Sequence, residues 1–333
     1  MKGIQKVIGV VCISIPLFIS IAGFGYKEPN PPVQLPKVTI AVSTTPLSAP
    51  LYIAKVKGFF KTAGIDVSIK EIPGGKKCFE ALQRGEVDLA TVSKSVIMFN
   101  SFNKANFSVL TSFVESDNDI KIVTLSKSKI LTTEDLVGRT VGIVKGSASE
   151  YFLHSWLTST DIDPQSVNTH TYAVKDMPAA LNRGEVDAIS VWEPFAYNSM
   201  RLNSESSILP TKGQYKLSFN LVHLTNNPIF NQPPRNVVSN TVEMAIIEGL
   251  NKANHFIQAR PEDAQLILRR HLKLSQDFID WVWVDYQFKL SLNTAFIHSL
   301  GKQAKWAIEA GLVEQQEVPN YLHFISPEAL KRQ

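Results

Sequence analysis

Apolar and polar positions alternate along IDVSIKEI (65–72), the two-residue period of a half-exposed strand. KVTIAV (37–42) and RTVGIV (139–144) read as strands on their valine and isoleucine content. Each is followed by a polar loop, STTPLSAP or KGSAS, and then by a stretch of helical pattern, LYIAKVKGFF or EYFLHSWL. Gly58 closes the first of these helices. VNTHTYAV (167–174) stands where IDVSIKEI stands in the first half. Each half then ends in nearly the same words. ALQRGEVDLA (81–90) and ALNRGEVDAI (180–189) agree at seven of ten positions, 99 residues apart. In both, a short helix ends at a glycine, Gly85 or Gly184, that permits a left-handed turn. A valine-rich buried strand follows, 87–92 or 186–191. Asp176 can cap the second of these helices, and Pro178 suits its first turn.

One RGE turn alone means little. The same phrase at matching places in two series of strand, helix, strand, helix, strand predicts two similar α/β lobes, each a mostly parallel sheet flanked by helices. KIVTL (121–125) reads as the outgoing hinge strand between them and KLSFNLVHL (216–224) as the return. From about Val237 the pattern is helical, through NTVEMAIIEGLNKANHFIQA, PEDAQLILRRHL and GKQAKWAIEAGL, and these helices are expected to pack on the first lobe. The division is then 37–124 with 219–333 for lobe 1, and 125–218 for lobe 2.

The first 25 residues carry Lys2 and Lys6, a long apolar run, and small residues at Ala22, Gly23 and Gly25. That layout predicts a signal peptide cut near Gly25, with a retained membrane anchor as the alternative. A Pro-rich linker, 26–36, follows. Cys12 is not preceded by a small residue, which argues against lipidation, and Cys78 then stands without a disulfide partner. The formal net charge of +4 falls to about +2 without Lys2 and Lys6, and no basic stripe exists, so no nucleic-acid partner is expected.

In open α/β sheets ligands bind at the carboxyl ends of the strands, so the loops there are the candidate site. Ser43, Thr44 and Thr45 follow the first strand of lobe 1; Gly146, Ser147, Ala148 and Ser149 follow that of lobe 2. Both loops open helices, whose free N–H groups attract anions, although each serine also reads as an ordinary cap. Gly74 and Gly75 would let backbone approach a ligand, or simply make a turn. After the repeated phrase come Ser93, Lys94 and Ser95 in one half, and Trp192, Glu193 and Pro194 in the other. Trp192 offers a flat wall or a core side chain; Glu193 offers an acceptor for an ammonium or amino group, or a solvated acid. Lys94 and Lys145 favour an anion, and a zwitterion would use both sets. Phe59, Phe60, Trp281, Trp283 and Trp306 lie in helical patterns and read as core.

Catalytic arrangements are hard to find. The seven histidines show no HxxxH spacing and there is no CxxC, so no metal is expected. GSASE lacks the spacing of a nucleophile elbow, and GGKK lacks the Walker glycine and hydroxyl. No cofactor is expected.

The ordered series STTPLSAPLYIAKVKGFFKTAGIDVSI, Gly74-Gly75, ALQRGEVDLA, LTTEDLVGRTVGIVKGS and VWEPF resembles the sulfonate, nitrate, taurine and thiamine-precursor binding proteins of bacterial ABC importers. The resemblance is strong over 37–200 and loose beyond. It implies a type II periplasmic-binding-protein clamp, monomeric, that captures a small solute by hinge closure and delivers it to an inner-membrane permease. A thiamine-pyrimidine-synthase-like enzyme of the same fold is the alternative, but the cysteine-rich cluster of that branch is absent here; a ligand sensor for a membrane partner is another.

Overall fold

The computed structural model describes residues 34–213, 215–225 and 237–326. The signal-peptide expectation and the linker up to residue 33 fall outside the described residues. The first sheet holds β1 (Lys37–Ser43), β2 (Asp66–Ile72), β3 (Leu89–Ser93), β4 (Phe107–Ser116), β10 (Leu217–Leu224) and β11 (Tyr286–Gln287), in the order β11-β4-β10-β3-β1-β2. The second holds β5 (Ile120–Leu125), β6 (Thr140–Ile143), β7 (Asn168–Thr171), β8 (Ala188–Trp192) and β9 (Ser206–Ile208), in the order β7-β6-β8-β5-β9. β1 runs parallel to β2 and β3, and β6 runs parallel to β7 and β8. Each parallel trio is joined on the same side by one antiparallel strand, β10 on β3 and β5 on β8. The two halves are therefore alike in topology as well as in wording.

The antiparallel strands are exchanged along the chain. β5 precedes the second trio in sequence, and β10 follows it. Lys121–Leu125, expected as a hinge strand, pairs within the second sheet along its length: Lys121 lies opposite Val191 and Leu125 opposite Ser206. The chain crosses between sheets instead at Asp117, Asn118 and Asp119, and returns through 209–216.

The repeated phrase has the same hydrogen bonds in both copies. Asp88 N–H donates to Thr39 O, and Thr39 N–H to Asp88 Oδ2, both at 2.8 Å. Asp187 and Thr140 repeat the exchange at 2.9 Å in both directions. Glu86 N–H donates to Ala81 O and Glu185 N–H to Ala180 O. Arg84 meets Glu86, and Arg183 meets Glu185, each at 2.6 Å. Gly85 and Gly184 have φ near +71° and +74°, where a side chain would be strained. The phrase thus encodes how a helix stops and how the next strand is tied to the first.

Eleven described helices surround the sheets. In the first half these are α1 (Ala49–Val56), α2 (Phe59–Thr62), α3 (Gly75–Gln83) and α4 (Lys94–Phe102); in the second, α5 (Ala148–Ser159), α6 (Met177–Arg183) and α7 (Phe195–Leu202). The C-terminal α8 (Asn240–Ala259) and α9 (Pro261–Leu272) match the expected segments and pack on α1 and α2. Ser239 caps α8, and Pro261 opens α9, both as their residue types favour. α10 (Gln276–Trp283) and α11 (Thr294–Glu309) complete the set. The expected third helix, from Gly301, in fact begins at Thr294 with Asn293 as its cap. Tyr52, Phe60, Phe107, Phe113 and Phe152 are among the largest fully buried side chains, each contributing roughly 1.5–3 kcal/mol by leaving water. Among the described residues no helix is long and apolar enough to cross a membrane.

Candidate functional site

The carboxyl ends of both parallel trios lead into helices, and the crossing segments lie at the same edges. β5 starts beside the end of β8, with Ile120 opposite Trp192. β10 starts beside the end of β3, with Phe219 opposite Ser93. Side chains from the loops of both halves therefore gather around 117–119 and 209–216.

Several expected ligand groups have structural partners. Ser43 is buried; its N–H donates to Thr91 Oγ1 and its carbonyl accepts from Ser48 Oγ. Thr45 caps the single turn Pro46–Ser48. Ser147 caps α5 and donates to Val144 O at 2.6 Å. Ser149 is buried, donates to Ser190 O at 2.6 Å, and its carbonyl accepts from Ser190 Oγ at 2.7 Å. The Ser149 hydroxyl thus ties the start of α5 to β8, and the Thr45 and Ser147 side chains serve as caps that shape their loops. The glycine pair also has internal reasons. Gly74 has φ of +86°, and a Cβ on Gly75 would lie 3.1 Å from Val92 Cα. The close backbone approach is to β3, not to an open surface.

Glu193 corrects the expectation of an open acceptor. Its side chain is wholly covered, and its Oε1 lies 2.8 Å from Lys121 Nζ, itself nearly covered. The same oxygen accepts from Trp281 Nε1 at 2.7 Å, and Oε2 accepts from Tyr197 N–H at 3.0 Å. Lys121 also donates to Asn118 O and sits over the Trp281 ring. The carboxylate is thus committed to joining β8, β5 and α10. Trp281, read as plain core, is instead the link from α10 to the second sheet. Beside it a cavity of about 350 Å³ opens between Asn118, Lys121, Leu209, Thr211 and Trp281. It contains none of the expected ligand residues. Its two lining lysines, Lys121 and Lys212, already have carboxylate partners in Glu193 and Asp285, the latter pair at 2.7 Å, so neither is left to counter a charged solute.

The remaining expected groups are differently placed. Thr44 is exposed, and Ser93 and Trp192 are half-buried. Lys94 is 5% exposed, and its Nζ donates to Lys216 O at 2.6 Å and lies 5.2 Å from the Tyr215 ring centre. Burial pulls its ammonium down to about 8, because a desolvated cation gives up its proton more readily. Tyr215 meets Tyr151 at 5.4 Å between ring centres and Phe152 at 6.2 Å, both on α5. Its hydroxyl accepts from Gln303 Nε2 on α11 at 3.0 Å, and Tyr151 stacks edge-on with Trp306 at 5.0 Å. Lys94, Tyr151, Tyr215, Gln303 and Trp306 therefore form one cluster drawn from both halves and the return crossing. Gln303 had a legible signal: it shares a helix face with Leu300, Ala304 and Ala307, where a polar side chain is unusual. Tyr215 had none. Cys78 is buried, and burial pushes its thiol up to about 12, so it is inert near neutrality.

Residues 45–264 match the family model described as NMT1/THI5 like. The chain is 27% identical over 166 residues to a putative aliphatic sulfonates-binding protein of Bacillus subtilis (strain 168), covering 49% of each chain. It is 25% identical over 162 residues to the taurine-binding periplasmic protein of Escherichia coli (strain K12), covering 48% of this chain and 49% of that one. The aligned part thus spans about half the length of these curated relatives. The fold is that of the alkanesulfonate-binding protein SsuA of Xanthomonas axonopodis pv. citri bound to MOPS, with TM-score 0.70 and 18% identity, over 85% of this chain and 96% of that one. The periplasmic aliphatic sulphonate binding protein SsuA of Escherichia coli gives TM-score 0.70 and 19% identity, over 87% and 100%. The architecture is the periplasmic-binding-protein fold, and the chain belongs to the NMT1/THI5-like family.

Proposed function

We propose that this protein is the solute-binding component of an ABC importer. It captures a small anionic or zwitterionic solute between two lobes and presents it to an inner-membrane permease. The observation that carries this reading is Lys94: a buried ammonium, after β3, in a cluster that α5 completes from the other half. A buried cation is costly without a counter-charge, and an anionic solute would supply one. Membership of the family and the names of the relatives support the class of function. A protein of this kind works outside the inner membrane, in the periplasm.

In this reading the lobes are the two sheets with their helices, and the hinge is the pair of crossings at 117–119 and 209–216. Closure then follows from contacts that both halves make to one solute, since only differential contacts shift such an equilibrium. Thr44, Ser93, Lys94 and Trp192 remain the ligand-facing candidates from the loops. Calorimetry of the protein with ethanesulfonate, taurine, nitrate and an aminopyrimidine tests the reading, together with small-angle scattering. The expected result is micromolar binding of an anion, about 8 kcal/mol, with a smaller radius of gyration on binding. A panel with no binder, or tight binding without compaction, overturns it.

A further inference from the structure

Tyr215 lies outside any strand or helix, in the return crossing just before β10. Its ring is contacted from three directions by groups suited to a ligand. The Lys94 ammonium stands over the ring at 5.2 Å, Tyr151 meets it edge-on, and the Gln303 amide holds its oxygen. Lys94 has no carboxylate within ion-pair distance among the described residues. The acid that acts on it through space, Glu115, is already shared by Lys216 and Lys289 at 3.6 and 3.2 Å.

Three further polar atoms on the same two helices lack hydrogen-bond partners among the described residues: Ser95 Oγ on α4, and Gln303 Oε1 and Trp306 Nε1 on α11. All three residues are at most 4% exposed. Buried polar atoms are seldom left in this condition without a purpose. Lys94 thus has a carbonyl and a ring face but no counter-charge, and the same two helices carry two buried donors without partners beside the rings of Tyr151 and Trp306, a setting that suits a flat apolar body bearing an anionic group.

We propose that Tyr215 is a built-in stand-in for the solute, and that the clamp takes an aromatic anion, an aryl sulfonate or aryl carboxylate, which displaces this side chain. The inference rests on the clamp reading above and names its substrate class. A neutral phenol gives Lys94 only a ring face. An aromatic anion gives it a full counter-charge and a ring for the same walls. Lys94 also holds Lys216 O, so exchanging its partner loosens the return crossing. Arrival of the solute is thereby coupled to the hinge.

Calorimetry with benzenesulfonate and ethanesulfonate tests this on the wild type, Tyr215→Ala, Tyr215→Phe and Lys94→Met, with circular dichroism confirming that each variant is folded. Tyr215→Ala is expected to bind benzenesulfonate about tenfold tighter than wild type, with ethanesulfonate changing less than about threefold. Tyr215→Phe, which keeps the ring, is expected to gain less than Tyr215→Ala. Lys94→Met is expected to lose at least about tenfold for benzenesulfonate. If Tyr215→Ala unfolds, Tyr215→Phe decides: a gain limited to the aromatic probe supports displacement, and no gain overturns it. Equal gains for both probes, or none for benzenesulfonate, overturn the proposal. In that event a wild type that still compacts on ethanesulfonate or taurine leaves the clamp reading standing. A wild type that responds to no probe removes both.

Discussion

Lys121 Nζ and Glu193 Oε1 lie 2.8 Å apart with both side chains almost entirely out of water. Lys121 belongs to β5 and Glu193 follows β8, and Trp281 of α10 bonds the same carboxylate oxygen. The pair therefore connects the second sheet to a helix that packs on α9, which in turn packs on α1. A buried pair of this kind need not add stability over apolar residues, but removing one partner strands the other. Glu193→Gln leaves Lys121 without its counter-charge and is expected to destabilise the fold by about 3–5 kcal/mol. Urea denaturation measures this. A loss below about 1 kcal/mol would mean that the pair is readily solvated.

Asp88 and Asp187 provide a test of the repeat. Each accepts the N–H of a residue in the first strand of its parallel trio, Thr39 in β1 or Thr140 in β6. Replacing either by alanine leaves a strand N–H unsatisfied, at an expected cost of about 1–3 kcal/mol. The two losses should be similar, because the partners and geometry are similar. Chemical denaturation of both variants checks this, and a large loss at one with none at the other would break the equivalence.

Such equivalence was legible because every repeated letter has a local job. Gly85 needs a left-handed turn, and Asp88 sits one strand away from Thr39. The crossing between the sheets was less legible. KIVTL is a good strand in either sheet, and its pattern does not say which; the antiparallel exchange of β5 and β10 is a tertiary outcome. The candidate site was legible in part. Lys94 follows from the carboxyl-end rule, but Tyr215 and Gln303 stand 121 and 209 positions further along, brought to Lys94 by packing alone. The pattern places Glu193 at the end of a strand, but its partner Lys121 stands 72 positions earlier, on a strand whose sheet the pattern does not fix.

Asp119 makes stability depend on pH. It is 2% exposed in the outgoing crossing, and burial is the largest influence raising its carboxyl to about 7, against a hydrogen bond from Tyr286 at 2.8 Å that favours ionisation. The unfolded chain ionises this group near the ordinary value of 3.8, so between pH 3.8 and 7 the folded form holds more protons. Its contribution to stability is full below the unfolded value and is lost as pH rises through about 7. Asp119→Asn is expected to flatten that part of the profile. Urea midpoints from pH 4 to 8 on both proteins measure it, and parallel profiles would refute the assignment.

Gly249 tests the seat of α8. A Cβ there would lie 2.4 Å from Phe60 Cδ1 and 2.8 Å from Phe60 Cε1, and Phe60 is itself fully buried. Gly249→Ala is expected to destabilise by about 1–3 kcal/mol through overpacking, although alanine is the better helix former. Gly301, on α11 with nothing within 4 Å of the added atom, is the control, and Gly301→Ala should be neutral or stabilising. Thermal unfolding of the pair separates packing from propensity.

Trp192 is the last strand residue of β8, half-buried, and packed in part against the main core. Core packing and contact with a solute are both open to a residue at this position, and a single substitution separates them by magnitude. A fully buried tryptophan cut to alanine costs about 3–5 kcal/mol of stability. Trp192 keeps part of its surface in water, so Trp192→Ala should cost less than that range. The surface it keeps lies at the carboxyl edge, where a solute would rest. Affinity for the solute should therefore fall as well, by about 1–3 kcal/mol if the lost contact resembles ring stacking on a base. Trp192→Phe retains a smaller ring and should recover most of the stability and part of the affinity. Unfolding and calorimetry on the same preparations decide it. A loss of stability within the full core range, with affinity unchanged, would assign Trp192 to the core alone and leave recognition to the cluster around Lys94.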